Sequence, residues 1–224
     1  LPYDEVRGIH PQDDSYLSKK AWDFENTPSS KYPLLLHFHP LVIYRHQVIK
    51  QVDVVLAMHL LGQEFSQEQK KRNFDYYDVL TSGDSSLSVS IQSIAAIQLG
   101  YIQKAVEYAY FAVLMDLADI GGNTKDGCHM ASMGGSWMVM VYGFAGMKDY
   151  NGNLSFNPKL PKGTERLHFP LTIRSQRLEV DIRHEEVTYL LSEGSELTIK
   201  HQDEEILLKV GIPVSIKQKI QDWE

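Results

Sequence analysis

The chain has 224 residues, 43% of them hydrophobic and 23% charged, with a formal net charge of −7. That is ordinary globular usage, on a length that suits one large domain or one and a half smaller ones. It offers no basic block to follow a phosphodiester backbone, so no nucleic-acid partner is expected.

The single cysteine, Cys128, excludes an internal disulfide framework and fits a reducing cytoplasm, the expected location. The longest apolar-rich stretch, Ser132 to Met147, is interrupted by Gly134, Gly135, Gly143 and Gly146 and is too short to span a bilayer, so no membrane role is expected. No signal peptide is visible. The opening Leu1-Pro-Tyr-Asp4 has neither a methionine nor a helix start, and reads as the middle of a longer polypeptide.

Residues 1–33 are rich in Pro, Asp and Ser, with little periodicity. They read as an ordered loop, because Tyr16, Trp22, Phe24 and Tyr32 need somewhere to pack. From about Leu41 to Leu61, Val48, Val52, Val55 and His59 recur at helical spacing. Ser66 with Gln69 forms a capping-box signature for a helix to about Val79. Turn residues Thr81 to Ser86 precede Leu87, Ile91, Ile94, Ala95 and Leu99, a third helix stopped by Gly100. Further helices are expected at about Ile102–Leu117 and Gly135–Ala145, the latter apolar nearly all round and therefore buried.

After Lys148 the pattern changes to short alternating runs with tight turns. The candidate strands are Arg166–Ile173, Arg177–Ile182, Glu186–Leu191, Glu196–His201, Glu205–Val210 and Val214–Lys217. The fold class is therefore mainly α with a C-terminal antiparallel β-sheet or small sandwich, divided as 1–150 and 151–224. Serial helix hairpins with short loops suggest part of an α-helical barrel or bundle.

Several segments could carry chemistry. Ser85 and Ser86 sit at an expected helix start, where backbone N–H groups lack internal partners and the dipole is positive, a ready site for phosphate or carboxylate. The plain alternative is that Asp84 or Ser85 is an N-cap. His129 follows a glycine and precedes an apolar helix, and a hydrogen-bonded core histidine is the alternative. Gly134 and Gly135 would let backbone approach a ligand, or let helices pack closely. Lys50, read as mid-helix beside Gln51, is either functional or an ion pair with Asp53. His37, His39, His46 and His59 lack a compact ligand spacing, and no metal site is expected.

Read together, seven ordered words carry a resemblance. They are Tyr32-Pro-Leu-Leu-Leu-His-Phe-His-Pro40, Val48-Ile-Lys-Gln-Val-Asp-Val-Val-Leu-Ala57, Arg72-Asn-Phe-Asp-Tyr-Tyr77, Asp84-Ser-Ser-Leu-Ser88, Asp126-Gly-Cys-His-Met-Ala-Ser132, Gly143-Phe-Ala-Gly-Met147, and Leu154-Ser-Phe156 leading to Pro158-Lys-Leu-Pro161. Across essentially the whole chain the sequence resembles glycoside hydrolase family 65, the maltose, trehalose and kojibiose phosphorylases. One departure is Gly163-Thr164-Glu165, where the family commonly has a tryptophan.

The resemblance implies the last hairpins of an (α/α)6 catalytic barrel followed by a small β-sheet domain. It implies that Lys50 and Gln51 line the sugar site, that Ser85, Ser86 and His129 hold phosphate, and that Gly134 and Gly135 lie close by. The implied reaction is inverting phosphorolysis of an α-linked glucose disaccharide. Inorganic phosphate is co-substrate, no cofactor is needed, and the products are β-glucose 1-phosphate and a sugar. The family's general acid sits in a Gly-Pro-Asp-Glu word, which is absent here. The acid is therefore expected upstream of Leu1, no catalytic residue is assigned within the chain, and the segment alone is expected to be inactive.

An inverting phosphorylase needs an acid for the leaving oxygen and, on the opposite face, an anion site that positions phosphate. Hydroxyls, an imidazole and helix-start amides can supply that site, whereas a carboxylate base would repel the nucleophile. Two alternatives remain: a hydrolase of the same clan, or a non-catalytic carbohydrate-binding or assembly module. An incomplete helical barrel exposes faces that its other hairpins would cover, so association with the remainder of the enzyme or with a second copy is expected.

Overall fold

The computed structural model describes residues 2–218. The chain divides into two compact units, Leu1–Ser136 and Trp137–Glu224.

The first unit begins with an irregular segment whose aromatic residues do pack. Tyr16 is buried, and its ring lies 5.8 Å from that of Tyr77. Trp22, Phe24 and Tyr32 gather around buried Leu34, Ile43 and Val48. Two short helices follow, α1 (Leu34–His37) and α2 (Pro40–Ile43).

The continuous helix expected from Leu41 to Leu61 is broken. Strand β2 (His46–Gln47) runs parallel to β1 (Lys20–Ala21), and helix α3 covers only Asp53–Leu60. The apolar spacing of Val48 and Val52 arises from a buried loop, not a helix face. Lys50 is consequently an exposed loop residue ahead of α3, which corrects its mid-helix placement.

Helix α4 (Gln67–Asp78) starts at the predicted capping box, with Ser66 and Gln69 exchanging both bonds. It also holds the N-terminal segment, because Tyr77 Oη donates to the His10 carbonyl at 2.7 Å and the His10 N–H donates to Asn73 Oδ1 at 2.8 Å. Helix α5 (Ser88–Leu99) is buried on nearly every side, and Gly100 ends it in left-handed backbone, φ +82°. Burying Ile91, Ile94 and Ile97 contributes about 1.5–3 kcal/mol each.

Helix α6 (Ile102–Leu114) returns along α5, and the Ser93 hydroxyl donates to the Ala105 carbonyl at 2.8 Å. Asp78 ties α4 to both helices. Its carboxylate accepts from Gln92 at 2.9 Å, Tyr108 at 2.7 Å and Lys104 at 2.5 Å. Helix α7 (Met130–Met138) begins earlier than expected, so Gly134 and Gly135 lie inside it rather than at its start.

In the second unit, Val139–Phe144 forms a π-helical turn. Strand β3 (Ser155–Phe156) pairs parallel with β7 (Glu196–His201), which pairs antiparallel with β8 (Glu204–Lys209). A second sheet has the order β4 (Arg166–Ile173), β5 (Gln176–Arg183), β6 (Glu186–Glu193) and β9 (Val214–Lys217), antiparallel throughout. Alternate residues, Leu178, Val180 and Ile182 on β5 and Val187, Tyr189 and Leu191 on β6, are fully buried. With Phe156, Ile199 and Leu208 they form one core shared by the two sheets, the small sandwich that the alternation implied. The first tight turn falls at Arg174–Ser175, and both residues have positive φ.

Candidate functional site

Four of the sequence words meet within the first unit. The loop before α3 is fixed from outside by two backbone bonds. Ile49 N–H donates to the Leu80 carbonyl and Ser82 N–H donates to the Ile49 carbonyl, both at 2.9 Å. This pairing lays Lys50 and Gln51 beside the segment that leads into α5. The Ser88 hydroxyl donates to the Lys50 carbonyl at 2.9 Å, and the Gln51 side-chain amide donates to Ser85 Oγ at 3.4 Å.

Ser85 is buried and Ser86 partly so. They form the turn just before α5 rather than its first turn. The Ser88 N–H donates to the Ser85 carbonyl at 3.2 Å, and Leu87, not a serine or aspartate, holds the N-cap position. Asp84 serves another segment, accepting the Leu34 N–H at the start of α1 at 2.8 Å. The Ser85 hydroxyl also accepts from Leu87 N–H at 3.3 Å. Its oxygen is thus held by two donors, an amide side chain and a backbone N–H, which leaves the hydroxyl proton free to be donated.

Helix α7 approaches the same turn. The Ser132 hydroxyl donates to the Ser86 carbonyl at 3.4 Å. Gly135 is buried against α5, and a Cβ there would sit 2.4 Å from Ser90 Oγ and 2.9 Å from Ser90 Cβ, so only glycine permits the approach. Gly134 faces open space.

His129 stands just ahead of α7, three residues before Ser132. Its N–H donates to Asp116 Oδ2 at 2.8 Å and its Nδ1 lies 2.5 Å from Asp116 Oδ1. The hydrogen bond from His129 holds the Asp116 carboxyl below the usual carboxylate range. Asp116 was not among the residues singled out in the sequence. It lies in the loop after α6, 13 residues from its partner, and no motif spacing marks it.

Lys50 is exposed, and no ion pair among the described residues joins it to Asp53, which instead accepts the Gln12 amide at 3.2 Å. Three of the other candidate histidines have hydrogen-bond partners: His39 caps α2 through Leu41 N–H, His46 Nδ1 pairs with the Val42 carbonyl, and His59 Nδ1 with Gln98. Among the described residues no group of three or more His, Cys, Asp or Glu is placed to hold a metal ion. Nor, among those residues, is any helix long and apolar enough to cross a membrane.

The family model for the glycosyl hydrolase family 65 central catalytic domain matches residues 1–138, and that for the family's C-terminal domain matches residues 147–208. This chain belongs to glycosyl hydrolase family 65. It is 44% identical over 196 residues to an alpha,alpha-trehalose phosphorylase of Geobacillus stearothermophilus, covering 88% of this chain and 26% of that protein. It is 46% identical over 194 residues to an uncharacterised glycosyl hydrolase of Mycobacterium tuberculosis, covering 87% of this chain and 24% of that protein. A solved structure assigned as a kojibiose phosphorylase, from the human microbiome, superposes with a TM-score of 0.88 at 31% identity, covering 98% of this chain and 32% of that one. The chain thus spans about a quarter of the length of its family 65 relatives.

Proposed function

We propose that this segment supplies the C-terminal hairpins of the catalytic barrel and the C-terminal β domain of an inverting disaccharide phosphorylase. In this reading Ser85, Ser86 and His129, with Gly134 and Gly135 of α7 close by, form the wall that receives inorganic phosphate. Lys50 and Gln51 line the adjoining glucose site. The observation that carries the reading is the contact between the two words, Gln51 to Ser85 and Ser88 to Lys50, which sets the loop before α3 against the turn before α5.

The chemistry follows from that neighbourhood. Phosphate is already nucleophilic, so the site has to hold it in line with the anomeric carbon and offset its charge, for which hydroxyls and an imidazole suffice. A phosphate oxygen forms the new bond to the anomeric carbon as the glycosidic bond breaks on the opposite face. The leaving sugar oxygen takes a proton from a carboxylic acid. Since residues 1–224 lack a Gly-Pro-Asp-Glu word, that acid is assigned to a part of the enzyme outside them, and the segment alone is inactive. The relatives' names point to an α-glucoside disaccharide as substrate.

The complete enzyme, supplied with trehalose, maltose or kojibiose, should release β-glucose 1-phosphate only when phosphate is present, as read by NMR of the anomeric proton. Free glucose from both halves of the sugar without phosphate would establish a hydrolase instead. Robust turnover by residues 1–224 alone would place the acid within them.

A further inference from the structure

We infer that Asp116 is the positioning residue of the phosphate site: it clamps His129 at two points and selects the ring tautomer, leaving Nε2 as the nitrogen offered to the anion. The inference rests on the phosphate reading above and names a residue that reading does not use.

Three observations carry it. First, one carboxylate takes two separate atoms of His129, the backbone N–H on Oδ2 at 2.8 Å and the ring Nδ1 on Oδ1 at 2.5 Å. Main chain and ring are therefore referred to the same anchor, and rotation of the imidazole breaks the shorter contact. Second, both groups are shielded, with 14% of the Asp116 side chain exposed and 25% of His129. The pair is thus more than a solvated surface contact, which would contribute little. Third, the Asp116 carboxyl is held below its usual range by that hydrogen bond, so it is ionised and can only accept. The proton must then sit on Nδ1.

The consequence for the anion is specific. A ring with Nδ1–H committed to Asp116 presents Nε2 on its opposite edge. Neutral, that nitrogen accepts from the P–OH of a phosphate monoanion; protonated, it donates to the dianion. In either case ring and phosphate share one proton. Asp119 also acts on Asp116, but it is itself occupied by the Thr124 N–H at 3.0 Å and by the charge of Lys125.

The test uses the complete enzyme and steady-state kinetics in both substrates. Asp116→Asn keeps the shape but offers one acceptor where the site needs two. It should raise KM for phosphate about ten- to a hundredfold while KM for the disaccharide stays within about twofold. In a His129→Ala background the same change should add less than about twofold to KM for phosphate, since Asp116 acts through His129. If Asp116→Asn lowers thermal stability so far that kinetics are unusable, Asp116→Glu carries the test. It displaces the carboxylate by one methylene and should give a smaller rise confined to phosphate.

Equal rises in both KM values, or a full additional effect without His129, would make Asp116 a structural staple and overturn the inference. If His129→Ala itself leaves KM for phosphate unchanged, the phosphate reading fails, whatever Asp116 does. If His129→Ala raises it and Asp116→Asn does not, the positioning role alone fails.

Discussion

The Gln51 side-chain amide donates to Ser85 Oγ across 3.4 Å, joining residues 34 positions apart in the chain. Each belongs to a different sequence word, and the contact is made possible by backbone pairing between Ile49 and the Leu80–Ser82 segment. The relationship makes the loop before α3 and the turn before α5 one unit.

A charge placed at that contact should act on phosphate. Gln51→Glu removes the donor to Ser85 and sets a carboxylate beside the proposed anion site. Like charges about 4 Å apart repel by about 4 kcal/mol at an effective dielectric of about 20. Solvent and rearrangement reduce this, so KM for phosphate in the complete enzyme should rise about tenfold or more at pH 7. An unchanged value in Gln51→Glu would separate this loop from the anion.

Gly135 has a packing duty that can be measured apart from catalysis. Gly135→Ala puts a methyl 2.9 Å from Ser90 Cβ and closer still to its hydroxyl. Overpacking of that kind costs about 1–3 kcal/mol. Ser90→Gly removes both colliding atoms, so the double variant should recover most of the loss in a thermal or urea melt. Additive losses would mean that the two helices do not meet there.

The second unit carries a pH dependence through His201. Its Nδ1 lies 2.8 Å from Tyr189 Oη in the core between the sheets, and burial pushes its pKa below the ordinary 6.5. The unfolded chain therefore takes up a proton at higher pH than the folded one. Stability is at its full value above about pH 6.5 and falls as pH drops below it, with a slope of at most about 1.4 kcal/mol per pH unit. Asp13, Asp119 and Asp181 are held below the usual carboxylate range and lose their contribution only below about pH 4. His201→Gln should flatten the unfolding midpoint between pH 6.5 and 5; an unaltered slope would assign the effect elsewhere.

Much of the fold was legible because local pattern and packing agree. β4, β7 and β9 match the alternating runs residue for residue, since one side of each strand enters a single core. The capping box of α4 and the terminal Gly100 of α5 are local devices and read correctly. The stretch from Leu41 to Leu61 was misread because its apolar spacing comes from partners far away in sequence: β2 pairs with Lys20–Ala21 and Ile49 with Leu80 and Ser82. Of the candidate site, the serine pair and His129 stand out by residue type. Asp116 does not, because an aspartate in a loop acquires meaning only when the chain brings an imidazole to it.

The anion cradle is tested most directly by the phosphate dependence of a Ser85→Ala/Ser86→Ala variant of the complete enzyme. Hydrogen bonds to a charged group contribute about 1.5–3 kcal/mol each, so losing two should raise KM for phosphate about a hundredfold or more. The account predicts that rise with KM for the disaccharide nearly unchanged. A phosphate KM equal to that of the parent enzyme would contradict it.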